Sequence, residues 1–507
     1  WSFSTWVKLG NLGVRHFLLN GWNDSNNRGY LEINDSGVLR YDDFYGGSQK
    51  CLKVSTPVYR DPTGWLHIVC EADTDNATAE DRLRIYVNGV RVTSWSTNTN
   101  YGLSIATQIN WASHQHYIGW VNNNYGDDYR ARTAFVDSGA GGPTAYGYFN
   151  TEINEWVTKS QAAVKAVVDA GGTNSFMLDF DDGTSLTTLG YDKSSKGNNW
   201  TLNNFSLTAG TSYDWMLDVP GNSYATLNPL DIKPTAITLA NGNLSASATA
   251  VACKLRASQG MSADKWYFEF TATSANNQFG VALISSIYNA YVGGDSASYG
   301  YFANDGNKYN NGSATAYGST YTTNDVIGVA YDASAGKLYF SKNGTWQNSG
   351  DPTAGTNPAF SGMSGTFYPA ISGAAAGATA SELNFGQAPL HASATYHSAA
   401  GGYFRYAPPS GYKALCQRNM PDGESITTSG SFTGTLNADG PYIDIKGVPT
   451  AMTINGNAVT FGTHADKTSS GFKIRTASSS YNNTGSNTFS VTSTGAKRKY
   501  SLAQGNP

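Results

Sequence analysis

Short segments in which apolar and polar residues alternate, each closed by Gly, Pro, Asn or Asp, recur along most of this chain, and a period of two is the mark of a strand. WSFSTWVKL, at the start, shows the pattern: Trp1, Phe3 and Thr5 alternate with Ser2, Ser4 and Trp6. YLEIND, GWLHIVCEAD, RLRIYVNGVRV and HYIGW follow before about residue 136. Asn88-Gly89, between RLRIYV and VRVTSW, predicts a two-residue hairpin, because a type I′ turn needs positive φ at both central positions. Abundant Gly (56), Tyr (32) and Trp (12), with only 14% charged residues, suit short strands and tight turns better than long surface helices. The expected class is all-β. A chain of 507 residues exceeds what one core organises, so about three domains are expected. The exception to the strand pattern is TKSQAAVKAVVDAGG. There a helix over 159–170 is predicted, with Ala163, Val164, Val167 and Val168 as its apolar stripe and Gly171 as its stop.

In residues 1–205 the order WVK, RDPTGWLHIV, RIYVNG, HYIG resembles the concanavalin A-like, laminin-G-like lectin domains common in bacteriophage structural proteins. FMLDFDDGTS and YDKSSKGNNW resemble a segment that usually opens such a domain, but here they close it, as a permuted strand or as a linker strand. A loop-rich connection over 206–230, SYDWMLDVPGNSYATLNPL at its heart, marks a boundary. Beyond it, residues 231–415 resemble the SPRY family. Lys265 to Glu269 match its opening strand and Gly280-Val281 its GV pair; Asp325, Ile327, Gly328, Val329, Asp332, Gly336, Leu338 and Phe340 to Gly344 match its central hairpin. The resemblance implies recognition through loops at one end of a sandwich, here 288–301 and 304–321, and no catalysis. Residues 421–507 turn to Ser, Thr, Gly and Asn with few large apolar side chains, and Gly430 to Ile443, best at Asn437 to Pro441, resemble a pattern in phage tail proteins. So thin a core suggests stabilisation by oligomerisation, and a homotrimer is the arrangement usual in such appendages. The whole is expected to be tandem antiparallel β-sandwiches, jelly-roll lectin-like then SPRY-like, with a small C-terminal β-module.

Lys plus Arg (33) nearly balance Asp plus Glu (37), for a net charge of −4, and no long basic run is present to neutralise a phosphate backbone, so nucleic acid is not an expected partner. Lys497, Arg498 and Lys499 form a small basic cluster, read as a solvated face. Cys51, Cys70, Cys253 and Cys416 are spaced as neither a disulfide framework nor a zinc knuckle, which leaves buried free thiols. No apolar stretch approaches the roughly 20 residues of a membrane helix, so no membrane insertion is expected. The chain opens at Trp1 with neither Met nor signal peptide, and a further N-terminal piece is expected.

Sugar recognition needs flat aromatic faces beside amides or carboxylates. Two loops supply both: Trp120, Asn122, Asn123, Asn124, Tyr125, Asp127 and Asp128 in the first module, and Tyr288, Asn289, Tyr291, Tyr301, Asn304 and Asp305 in the second. Polar turns with aromatics packed at a subunit interface would read the same way. Asp179, Asp181, Asp182 and Asp192 offer the oxygen ligands calcium prefers, although Asp-Asp-Gly is also an ordinary turn and no EF-hand loop is present; otherwise no cofactor is expected. Glu152 and Glu155 are a close glutamate pair, but a spacing of three places them on opposite strand faces, and the Glu-x-Asp-x-x-Glu motif of laminarinase-type hydrolases is absent. His114 and His116 lack a third metal ligand and read as a surface pair.

These readings lead to a non-enzymatic virion appendage, a tail fibre or spike, that binds other tail proteins and a bacterial surface glycan or protein, and becomes extracellular on release. Rival expectations are a capsid decoration or head-fibre protein, a polysaccharide-degrading enzyme, and a secreted adhesin. The last draws on Asn-x-Ser/Thr triplets such as those at Asn76 and Asn311, which are common by chance in so Asn-rich a chain.

Overall fold

A computed structural model describes residues 1–420 other than 140, 152–154, 211, 232–236, 249–252, 288 and 374–378, and, beyond 420, the strands between 425 and 494. The chain is nearly all β and its sheets are built from antiparallel pairs, apart from the parallel pairing of Lys413–Ala414 with Lys265–Ala272. Among the described residues no helix is long and apolar enough to cross a membrane, and the four cysteines are buried and in no disulfide.

The first module is two six-stranded sheets around a shared core. One runs Phe176–Leu178, Asp128–Val136, Ser2–Leu9, Leu66–Ala72, Leu83–Val87, Val90–Arg91; the other runs Gln115–Tyr117, His16–Asp24, Asn27–Ile33, Val38–Tyr45, Ser48–Val58, Trp95–Thr99. Phe3, Val7 and Leu9 from the first meet Leu18, Leu31 and Tyr41 from the second. Asn88 (φ 48°) and Gly89 (φ 80°) form the hairpin turn between Val87 and Val90, both in the left-handed region that a type I′ turn demands. Phe176–Leu178 pairs with Thr133–Phe135 and ends the first sheet.

Strand Ser2–Leu9 is buried along its whole length, so its outward face is covered too. Ser2 Oγ lies 2.6 Å from Tyr146 Oη, Ser4 Oγ lies 2.8 Å from His67 Nε2, and Trp6 stacks on His67 with ring centroids 4.7 Å apart. Helix Gln161–Asp169 helps to cover this side. Ser160 caps it through Ala163 N–H, and Val164 and Val168 pack on Val69, Ala134, Val136 and Met177. Ala163, expected on the buried stripe, is exposed: the helix meets a flat sheet along the narrow line that Val164 and Val168 make.

The second module is another sandwich, with an eight-stranded sheet and a six-stranded one. Phe270 of Lys265–Ala272 stacks on Phe279 of Asn277–Leu283 across the interior, with centroids 4.5 Å apart. Segment 395–416 folds over the outer face of the larger sheet, where Tyr267 meets Phe404 and the buried Glu269 carboxylate accepts the N–H groups of Arg405 and Tyr406 at 2.8 and 2.9 Å. The central hairpin, Val326–Asp332 to Lys337–Lys342, turns through Gly336 at φ 62°.

The connection over 206–230, expected to be a loop-rich linker, is structural. Tyr224, Ala225 and Leu227 are buried, and Tyr224 belongs to the core cluster beneath segment 395–416. Trp1–Gly147 and Thr158–Asn419 thus form one compact unit. The other unit takes Tyr148–Val157 and Met420–Lys499. Beyond 420 it contains a four-stranded sheet, Ser425–Thr433, Ser486–Thr494, Val448–Ile454, Asn457–Ala458, and a three-stranded one, Asp439–Asp444, Gly471–Arg475, Ala465–Lys467. Glu152, Asn437 and the basic cluster at 497–499 lie outside the described residues.

Candidate functional site

The first candidate cluster is carried on a short hairpin in which Trp120–Val121 pairs with Asn124–Tyr125. Asn122 (φ 46°) and Asn123 (φ 63°) make its turn, a conformation that Asn tolerates better than most residues, and Asn124 Nδ2 donates to the Val121 carbonyl at 3.3 Å. These asparagines serve the turn. Val121 anchors the hairpin between Phe17 and Tyr30, and Asn20 Nδ2 donates to the Trp120 carbonyl. Trp120 thus stands beside Tyr117, with centroids 4.4 Å apart, while Tyr125 is 59% exposed.

The next two residues separate. Asp127 accepts Asn11 N–H at 3.2 Å, and burial raises its pKa. Asp128 turns inward: its carboxylate meets the Arg130 guanidinium and lies 3.2 Å from His16 Nδ1. Burial works against its charge, but Arg130 and His16 outweigh that and bring its pKa down to about 2. Asp128 thus lines the cleft named below with its carboxylate already committed to a buried ion pair.

Trp120, Tyr125 and Asp127 form one wall of a cleft of about 1290 Å³. Phe180, Trp200, Phe205, Tyr213 and Trp215 come from segments that the sequence reading assigned to a closing strand and a linker, and the second sandwich adds Gly242, Leu244 and Glu382. Trp215 Nε1 donates to the Phe180 carbonyl at 2.8 Å, fixing two rings of that wall, and Tyr129 Oη donates to the Gly242 carbonyl at 2.7 Å, joining the sandwiches behind it. Burial raises the pKa of Asp214 and Glu382 as it does for Asp127. Flat rings can stack on apolar sugar faces, and carboxyls beside them can hydrogen-bond to hydroxyls.

A smaller pocket of about 300 Å³ lies next to the cleft and shares His116, Asn199 and Trp200 with it. Trp111 and His114 line only the smaller one. The histidines expected as a surface pair are therefore pocket walls, both with pKa values lowered by burial. Sequence reasoning missed Trp111, Trp200 and Trp215. The available signal was a Trp beside Asn, as in GNNW, within segments too polar to be core.

The second candidate cluster does not assemble. Tyr288 lies outside the described residues. Tyr301 is corrected to a core residue: it is fully buried, packs on Tyr317, Tyr321 and Phe340, and donates to the Ser319 carbonyl. Tyr291 is half-buried against Phe302 and Tyr309. Asp305 is a turn cap, accepting Asn307 N–H at 2.9 Å and Tyr309 Oη at 2.5 Å, and Asn289 and Asn304 are exposed.

The calcium set is likewise corrected. Asp179 pairs with Arg132 at 2.7 Å and Asp181 with Lys193 at 2.8 Å; Asp182 caps Thr184, and Asp192 accepts the N–H groups of Met177, Ser194 and Asn198 at 2.8 Å each. Calcium needs six or more converging oxygens, whereas these carboxylates diverge to separate donors. Among the described residues no group of three His, Cys, Asp or Glu is placed to hold a metal.

Comparison with known proteins matches residues 265–388 to the SPRY domain. The dual specificity protein kinase splA of Dictyostelium discoideum is 31% identical over 94 residues, 18% of this chain and 4% of that protein. The Ran-binding proteins 9/10 homolog of Drosophila melanogaster is 36% identical over 84 residues, 16% of this chain and 9% of that protein. The chain thus spans under a tenth of the length of these relatives. Among solved structures, the SPRY domain of human HERC1 is 20% identical, covering 31% of this chain and 96% of its own, with a TM-score of 0.27. Stonustoxin is 19% identical, covering 32% and 27%, with a TM-score of 0.26.

Proposed function

We propose that this chain is a non-catalytic attachment protein whose lectin-like first module, closed against the SPRY-bearing sandwich, binds a surface glycan in the cleft between them. The observation that carries this reading is the cleft itself: about 1290 Å³, walled by Trp120, Trp200, Tyr213 and Trp215 and edged by the carboxyls of Asp127, Asp214 and Glu382. Aromatic walls with a few polar groups are the chemistry of a ligand site, and the volume is too large for a packing defect. The setting we propose is a bacteriophage tail appendage, in keeping with the likeness of Gly430 to Ile443 to tail-protein sequences. Three copies per appendage would turn weak single-site binding into firm attachment. Calorimetry with envelope glycans of candidate hosts tests the site, with binding expected to weaken about tenfold in Trp120→Ala. Light scattering tests the trimer. Absence of glycan binding by correctly assembled protein would abandon the reading, and release of new reducing ends would replace it with hydrolysis.

A second reading is favoured by Ile284 and Ile287, which are 53% and 59% exposed in the loop that follows Asn277–Leu283 of the SPRY domain. An apolar pair on such a loop suits a protein partner, and one relative is named for binding Ran. Ile284→Asp with Ile287→Asp would abolish capture of a host surface protein while leaving glycan binding intact.

A further inference from the structure

We propose, resting on the glycan reading above, that the Trp111 pocket and the cleft form one continuous groove selective for a neutral oligosaccharide, with one sugar unit seated in the pocket. Three observations carry this.

The two spaces adjoin, since His116, Asn199 and Trp200 line both. A chain lying along the cleft therefore reaches the pocket past the Trp200 indole. At about 300 Å³ the pocket is at the small end of ligand sites, suited to a single ring.

Among the described residues the pocket wall also carries no Asp, Glu, Lys or Arg side chain. His116 Nε2 accepts Asn110 N–H at 3.0 Å, so its proton sits on Nδ1 and the ring is neutral. Burial lowers the pKa of His114, which favours its neutral form. Asn198 spends both amide hydrogens on the Thr173 and Ser175 carbonyls, which leaves its oxygen as an acceptor; Asn199 uses its oxygen on Asp192 N–H, which leaves its amide as a donor. His114 Nδ1 is enclosed without a partner among the described residues. Donor and acceptor side by side, beside the Trp111 and Trp200 rings, complement a hydroxyl, which both donates and accepts.

The cleft, finally, disfavours acids. Its one arginine, Arg130, is committed to Asp128, whereas Asp127, Asp214 and Glu382 are carboxyls with no ion pair among the described residues. A uronic acid or sialic acid unit would meet these carboxyls with no free cation among the described lining residues to offset them.

The experiment is titration of the intact protein, followed by tryptophan fluorescence and calorimetry, with graded-length glucose and N-acetylglucosamine oligomers and with oligogalacturonates. Neutral oligomers are expected to bind more tightly with length until the groove is filled, and oligogalacturonates of equal length about tenfold more weakly or not at all. Trp111→Ala should cost about tenfold on long neutral oligomers, and Trp111→Phe, which keeps a flat ring, should restore most of it. Unchanged melting temperatures exclude a folding defect. If Trp120→Ala weakens binding while Trp111→Ala matches the wild type at every length, the continuous groove is overturned and the cleft reading stands. If galacturonates bind as well as neutral oligomers, the charge selection is overturned. If no oligomer binds and neither substitution matters, the glycan reading falls with it.

Discussion

Asp127 and Asp128 are adjacent and chemically identical and both line the cleft, yet only Asp128 is held by Arg130 and His16. Asp128→Asn would leave Arg130 enclosed with only the Phe17 and Leu18 carbonyls, so unfolding in urea should show a loss of about 3–5 kcal/mol at neutral pH. The folded pKa of Asp128 is depressed to about 2, so its contribution is present above the unfolded value of 3.8 and is lost as pH falls through about 2. The gap between wild type and variant should therefore close over that range. Glu269 has the opposite sign: burial raises its pKa from 4.5 to about 7, against the pull of the Arg405 and Tyr406 N–H groups. The folded state then holds the extra proton between those values, and stability declines as pH rises through the window. Melting temperatures across that window should fall in the wild type and stay flatter in Glu269→Gln; a wild-type rise would contradict the assignment. None of this was legible in the sequence. Tyr125 and Tyr301 show why: both are tyrosines in Asn- and Gly-rich text, and only the strand that runs through Tyr301 decides that it faces the interior.

Elements were legible where local chemistry alone decides them. Asn88-Gly89 specifies its own turn, and the central hairpin over 326–342 shows its apolar faces directly. Gly280, singled out by likeness to the GV pair of the SPRY family, has a physical reason. A Cβ there would meet the Tyr299 carbonyl oxygen at 1.9 Å, inside the pairing of Asn277–Leu283 with Ser298–Phe302. Gly280→Ala must therefore push those strands apart, and its cost should fall in the upper part of the usual range for single substitutions, about 3 kcal/mol, with loss of amide-exchange protection in both strands. An alanine variant with wild-type stability would mean that the strands do not approach this closely. Hairpin Trp120–Tyr125 was legible only as a cluster of residue types. That Asn122 and Asn124 serve the turn while Trp120, Asn123 and Tyr125 line the cleft depends on Val121 docking between Phe17 and Tyr30, a contact about a hundred residues distant in sequence. The aspartates at 179–192 misled for the same reason, since Asp-rich text does not reveal that Arg132 and Lys193 wait at the other end.

At the scale of the molecule, the join between the two sandwiches was the least legible feature, because it rests on a lysine placed on the outward face of the first strand. Lys8 is fully buried. Its ammonium lies 2.6 Å from Asp218, 3.0 Å from Ser223 Oγ and 2.9 Å from the Tyr224 carbonyl, while Trp65 Nε1 holds the other Asp218 oxygen at 2.9 Å. Asn243 Nδ2 donates to the Gly10 carbonyl at 2.8 Å on the same side. A sequence reader sees a solvent-facing Lys and a linker Asp, and has no means of pairing them across 210 residues. Three buried acceptors around one ammonium make the join all-or-none, so both sandwiches should unfold in one calorimetric transition. Lys8→Met strands the Asp218 carboxylate in the interface and should cost about 3–5 kcal/mol, whereas Lys8→Met with Asp218→Leu, which removes both charges, should recover most of that. The cleft supplies a second readout, because Asp218 lines it while Lys8 does not. The single variant should lose glycan affinity without having removed any contact to the ligand, and the double variant should regain it. Wild-type affinity in Lys8→Met, with stability lowered as expected, would show that the cleft keeps its shape without the join, and would move the glycan site onto the first sandwich alone.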